Sequence, residues 1–321
     1  MKRALAGLAL VALAGASVCA DGQSSASYAP LCSAGALCVG SDQAYPTLNA
    51  ALAAAHEGDV IEIVAATYQE TAKIGVRGLT LRGVGGRPHF DCGGMALSDD
   101  KACLLLAADG ITLDNLEISG AQISDALGAN GACIRNEPDK SYTLKRIVCH
   151  GSQDGVLSNG GDILIEDSEF FDNGWTGLTH NIYLGGKCTA TVRRSIFRDA
   201  RRGHEFKSRC IKTDIADSTF RSSASGRDLD IPDGGETTIS RSTIVKARTS
   251  TNGEMIGFTP ESCAHPGDMV LKGDRIENLR PDGDIRNFDR CKGRAIILEN
   301  VTFDGIKPKF IGLVVLRKSG N

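Results

Sequence analysis

The sequence predicts an all-β solenoid, a parallel β-helix, and three observations carry that prediction. First, one apolar residue is followed five positions later by another along most of the chain: Leu113 and Ile118, Leu144 and Cys149, Ile165 and Phe170, Val192 and Phe197, Ile215 and Phe220, Ile239 and Ile244, Leu271 and Ile276, Leu298 and Phe303. Second, four of these units read almost alike, as IEDSEF, VRRSIF, IADSTF and ISRSTI, and the step between units runs from 21 to 32 residues. Third, the units consist of short runs of Ile, Val, Phe and Thr bounded by Gly, Asn, Asp and Ser, with no helical period between them. Units of this size bury an apolar face only by stacking on one another, so each is read as one coil of about three short strands.

The elements follow in chain order. Lys2 and Arg3, an apolar run and Val18-Cys19-Ala20 read as a signal peptide over residues 1–20. Its removal leaves ten of the eleven cysteines, an even number suited to an exported protein, periplasmic or secreted. They fall as neighbours and are expected to pair sequentially: Cys32 with Cys38 in an N-terminal segment 21–44, then Cys92–Cys103, Cys133–Cys149, Cys188–Cys210 and Cys263–Cys291. An amphipathic helix from Thr47 to His56 opens the β-helix domain, assigned to 45–310, and is expected to cap its first coil. Residues 311–321 are read as a C-terminal tail. The net charge of −3 argues against nucleic acid as a general partner. No later stretch reaches the ~18 apolar residues of a membrane span.

The opening helix, the turn Glu57-Gly58-Asp59, the strand VIEIV, the motif TYQE and the stretch GLTLRGVGG together with the repeated coils resemble the right-handed parallel β-helix proteins of the pectate-lyase-like (pectin lyase fold) superfamily, over roughly residues 45–305. The resemblance implies a right-handed helix. It leaves the reaction open, because that superfamily holds polysaccharide lyases, hydrolases, epimerases and non-catalytic binders.

Titratable residues concentrate in RRGHEFKSRC, residues 201–210. In register, Ile182, Phe206 and Leu229 are expected to stack in the core. Alternation along the strands then turns Asn181, Glu205 and Asp228 outward as one ladder and Tyr183, Lys207 and Asp230 as the next. His180, His204 and Arg227 stand where the same strands begin. Residues 193–212 hold eight Lys and Arg against Asp199 and Glu205, a cationic strip that suits an acidic polysaccharide.

β-Elimination on a uronate needs a base for the proton beside the carboxyl group, cations for that carboxyl, and an acid for the leaving oxygen. Lys207 is the predicted base, with His204 or His180 competing. Tyr183 is the predicted acid, and Arg209 and Arg227 neutralise the carboxylate. Asn181, Asp228, Asp230 and Trp175 complete the expected substrate contacts. A second reading, glycoside hydrolysis, would pair Glu205 with Asp228 or Asp230. A third, a non-catalytic glycan-binding or cell-surface solenoid, needs only the surface. Asp228, Asp230 and Asp233 offer oxygens for a calcium ion. No CxxC or His/Cys grouping in the sequence marks zinc, and His56, His89, His150 and His265, each taken alone, read as surface or packing residues.

Overall fold

The computed structural model describes residues 31–318; the predicted signal peptide lies outside the described residues. They form a right-handed parallel β-helix. Three apolar columns run up its interior, one per face. One passes from Ile61 through Val192 and Ile215 to Leu298. The second carries Phe170, Phe197 and Phe220, and the third carries Val156, Ile182, Phe206 and Leu229. The five-residue spacing seen in the sequence is the step from the first column, around a tight corner, to the second.

That corner explains the repeated hexapeptide. Its third residue, Asp167, Arg194, Asp217 or Arg241, takes a left-handed conformation with φ of 49° to 55°. Its fourth, Ser168, Ser195, Ser218 or Ser242, turns inward and is buried. Each serine hydroxyl accepts a backbone N–H from the preceding coil: Ile147 to Ser168 at 3.0 Å, Ser168 to Ser195 at 3.2 Å, Ser195 to Ser218 and Ser218 to Ser242 at 3.1 Å. Outside, Arg194 clasps Asp167 and Arg241 clasps Asp217, each through two hydrogen bonds.

The helix is shorter than expected, Leu48–Ala54, with Thr47 as its N-cap. It buries Leu48 and Ala51. The glutamate of TYQE, Glu70, accepts the backbone N–H groups of Leu48 and Asn49 at 3.2 and 3.0 Å, which ties the motif to the helix it follows. The stack extends past both predicted bounds. Leu37–Val39 pairs with Val60–Val64, and Val314–Arg317, assigned to a tail, pairs with Ile296–Glu299. Both segments are short apolar runs that complete the hydrogen bonds of what would otherwise be terminal strands.

All five cysteine pairs are bridged in the sequential order. Two long strands, Asp154–Glu166 and Ile182–Arg193, run through the corner between the third and first faces and merge these into one sheet. Gly161 permits this passage, since its φ is 89° and a Cβ there would lie 2.4 Å from the Lys140 carbonyl oxygen.

Ser195→Ala leaves the buried Ser168 N–H without its acceptor. Chemical denaturation should register a loss of about 1–3 kcal/mol, and an unchanged midpoint would mean that the serine ladder does not hold the coils.

Candidate functional site

Ile182 pairs with Phe206 and Phe206 with Leu229, the register expected from the sequence. Val156 and Ile256 extend the column on either side. Two residues before these five lie Asp154, His180, His204, Arg227 and Glu254, and one residue after them Leu157, Tyr183, Lys207, Asp230 and Gly257.

The two histidines are stacked, with ring centroids 4.9 Å apart and planes 7° from parallel. His180 Nδ1 accepts the His204 backbone N–H at 2.9 Å, and His204 Nδ1 accepts that of Arg227 at 2.9 Å. The His180 backbone N–H in turn donates to Asp154 Oδ1 at 2.7 Å. Burial, aided by Arg227, Lys207 and Lys246, pushes the His204 pKa down to about 3. Burial and the neighbouring His204, Lys207 and Arg209 hold His180 well below the ordinary imidazole range. A neutral ring whose Nδ1 accepts a hydrogen bond carries its proton on Nε2. Each histidine therefore presents a donor, and the lone pair that the expected base role requires is already engaged.

The ladder of Asn181, Glu205 and Asp228 faces inward, contrary to the expectation. All three are fully buried. Glu205 accepts hydrogen bonds from Asn181 Nδ2 at 2.5 Å, Ser225 Oγ at 2.8 Å and the Ala200 N–H at 3.1 Å. Asp228 accepts the Ser222 N–H at 3.0 Å and lies 3.8 Å from the buried Lys246 ammonium. Burial pushes Glu205 up to about 8 and Asp228 up to about 6. The alternation argument fails here for a local reason: the strands Phe206–Ser208 and Leu229–Ile231 begin at the core residue. Glu205 and Asp228 precede them, in the corner. Neither carboxylate reaches the surface, so the pairings proposed for hydrolysis lack their glutamate.

Lys207 and Tyr183 do face outward, into a cleft of about 430 Å³ that Arg135, Asp154, His180, Arg209 and Glu261 also line. Glu261 comes from the loop that the Cys263–Cys291 bridge anchors. Its carboxylate is gripped by Lys207 Nζ at 2.9 Å and Arg209 Nη2 at 2.5 Å. Against burial, which would raise it, the hydrogen bonds from Arg209 and Lys207 pull the Glu261 pKa down to about 2. Arg209 also bonds Asp233 at 2.7 Å and donates from Nε to the Tyr183 hydroxyl at 3.0 Å. Lys207 lies 3.5 Å from Asp230, itself buried between Lys207 and Arg227.

Other predicted contacts lie elsewhere. Arg227 is turned toward Asp230, Glu254 and the Phe288 ring, over Gly257, where a Cβ would come 2.6 Å from its Nε. Trp175 carries the Arg201 guanidinium 4.8 Å above its ring and does not line the cleft. Asp228, Asp230 and Asp233 do not converge as a calcium site would require, because each faces a different cation, Lys246, Arg227 or Arg209. Sequence reasoning missed Asp154, Arg135 and Glu261. Asp154 was reachable by extending the register one coil, whereas Glu261 lies 54 residues from Lys207 on a loop that no periodicity locates.

An imidazole with a lowered folded pKa binds fewer protons than the unfolded chain below about pH 6.5. The stability this provides is complete above that pH and lost as the pH falls toward 3. His204→Asn, which keeps an acceptor for the Arg227 N–H, should flatten the decline of melting temperature between pH 6.5 and 4. A wild-type slope in the variant would mean that His204 titrates normally.

No protein-family model matches the sequence, and no curated protein sequence does either. Solved structures do. Two structures of pectin methylesterase in complex with hexasaccharides are similar at 14% and 13% identity, with TM-scores of 0.53 and 0.51, each covering 85% of this chain and 90% of the other. The pectin methylesterase of Yersinia enterocolitica is similar at 13% identity and a TM-score of 0.50, over 83% of this chain and 92% of the other. At these identities the likeness is one of fold, and the fold it establishes is the right-handed parallel β-helix.

Proposed function

We propose that this protein is an exported, carbohydrate-active β-helix enzyme that binds the carboxylate of a uronate between Lys207 and Arg209 and cleaves the chain by β-elimination. One observation carries the reading. In an open cleft, Lys207 and Arg209 together already hold a carboxylate, that of the half-exposed Glu261. A uronate carboxylate in that place would meet the same two cations, which would stabilise the charge that develops as the adjacent proton leaves. The five disulfides support export. The hexasaccharide complexes of the similar pectin methylesterases support a glycan as the class of ligand.

The proposed roles follow from the contacts. Arg209 Nε donates to the Tyr183 oxygen and fixes it in the cleft beside the proposed carboxylate site, so Tyr183 is assigned the proton transfer. The base takes the proton beside the carboxyl group, the bond to the leaving oxygen breaks, a carbon–carbon double bond forms, and the leaving oxygen takes a proton. The leaving oxygen takes the proton from Tyr183, and His180, lining the same cleft with its Nε2–H, steadies that oxygen as a hydrogen-bond donor without giving up its ring proton. Lys207 is assigned to the carboxylate rather than to the base role expected from the sequence, because it stands between Glu261 and Asp230 rather than among cations alone.

Incubation with polygalacturonate, methyl-esterified pectin and alginate tests this, following ultraviolet-absorbing unsaturated ends, reducing ends and methanol. Unsaturated ends are the expected product. Reducing ends alone would indicate a hydrolase, methanol an esterase, and binding without product a glycan-binding solenoid; each would overturn the elimination. Given a lyase, Tyr183→Phe should lower turnover by at least ~10²-fold with the melting temperature unchanged. Lys207→Arg then separates the two lysine roles: partial activity fits a carboxylate holder, and complete loss fits a base, since a guanidinium does not give up its proton.

A further inference from the structure

We propose that His89, Glu117 and His150, on the face carried by the second apolar column, form a site for a zinc-class divalent cation. The three residues sit on consecutive strands of the ten-stranded sheet, His89–Asp91, Glu117–Ser119 and Val148–His150. His89 stands directly opposite Glu117, and His150 is opposite Ser119, one diagonal away. Phe90, Ile118 and Cys149 point into the core between them and are fully buried, so alternation turns the three candidate ligands outward on a rigid backing. Cys149 is further pinned by its bridge to Cys133.

The ligand atoms all lie within 4.8 Å of one another, and among the described residues no other group of three or more His, Cys, Asp and Glu does so. His150 Nε2 is 3.0 Å from Glu117 Oε1. Tetrahedral coordination at metal–ligand distances of about 2.0–2.2 Å places ligand atoms about 3.3 Å apart, so small side-chain rotations close the triad. The rings are already oriented. His89 Nε2 is 2.8 Å from the hydroxyl of Ser119, which is buried, and His150 stacks on Phe171 with centroids 4.9 Å apart. Such orienting contacts are what a metal-binding histidine requires around it.

Other coils show what an ordinary ladder on this face contains. There Arg198 pairs with Glu169, and Arg275 with Asp304. Around Glu117 two imidazoles stand where those coils place an arginine, and among the described residues its ion-pair partner is His150. Two imidazole nitrogens and one carboxylate suit zinc, nickel or copper, whereas calcium and magnesium take oxygen ligands. Three protein ligands leave a fourth position open to water. The ion would join three successive coils from positions 28 and 33 residues apart in the chain.

The test uses the mature chain, untagged and stripped of metal, titrated with zinc chloride by calorimetry and by melting. One zinc ion should bind per chain and raise the melting temperature as binding to the folded state alone requires. His89→Ala, His150→Ala and the shape-preserving Glu117→Gln should each weaken binding at least tenfold, while His56→Ala should leave it unchanged. Calcium at the same concentration should not raise the melting temperature. The proposal fails if the wild-type chain shows no saturable zinc binding, if binding survives in the His89→Ala/His150→Ala double variant, or if calcium stabilises equally. Because Glu117→Gln keeps the side-chain volume, it remains informative even if the histidine variants fold poorly.

Discussion

Every feature of this molecule depends on one constraint: no coil can satisfy its own backbone or bury its own apolar residues. Each strand finds its partners only in the coils before and after it. Side chains complete what the strands leave open at the corners, where the hydroxyls of Ser168, Ser195, Ser218 and Ser242 each take an N–H from the coil below. The phenylalanines continue the same stacking inside, with Phe197 centred between Phe170 and Phe220 at 5.6 and 5.1 Å. A functional group on the outer face inherits its spacing from this stack. Tyr183 and Lys207 stand one strand apart because Ile182 and Phe206 do.

The cleft is an exercise in charge compensation. Lys207 is matched by Glu261 and Asp230 and Arg209 by Asp233 and Glu261, while beside the cleft Arg227 is matched by Asp230 and Glu254. Around Lys207 and Arg209, what the sequence presents as a cationic strip is, once folded, a nearly neutral network. Within it the half-exposed Glu261 is the acid most open to solvent and therefore the one least costly to displace. Beneath the network, Glu205, Asp228 and Lys246 form a second polar cluster sealed from water. Its work is structural: it ties the corner between two faces at the coils that carry the cleft.

The fold was legible because it repeats. A five-residue spacing and a serine-bearing hexapeptide recur often enough to set the register of each coil, and the pairing of Ile182, Phe206 and Leu229 followed from it. The site was legible only where a side chain lies inside a regular strand. Tyr183 and Lys207 do, and they face outward as alternation requires. Glu205 and Asp228 lie one residue outside their strands, where backbone direction is set by a corner and alternation has no force. Glu261 was beyond reach, since a loop crossing from a later coil leaves no periodic trace. The triad of His89, Glu117 and His150 was hidden differently, because its members stand 28 and 33 residues apart and come together only when three coils are laid side by side.

The disulfides carry a consequence for how the chain comes to be folded. The bridges span 6 to 28 residues, and no two of them interleave along the sequence. Each thiol thus has its partner before the cysteines of the next bridge occur in the chain. A chain delivered from its N-terminal end can oxidise in the order of its sequence, locking each short span while the rest is still to arrive. Because no bridge crosses another, none has to open before the next can close.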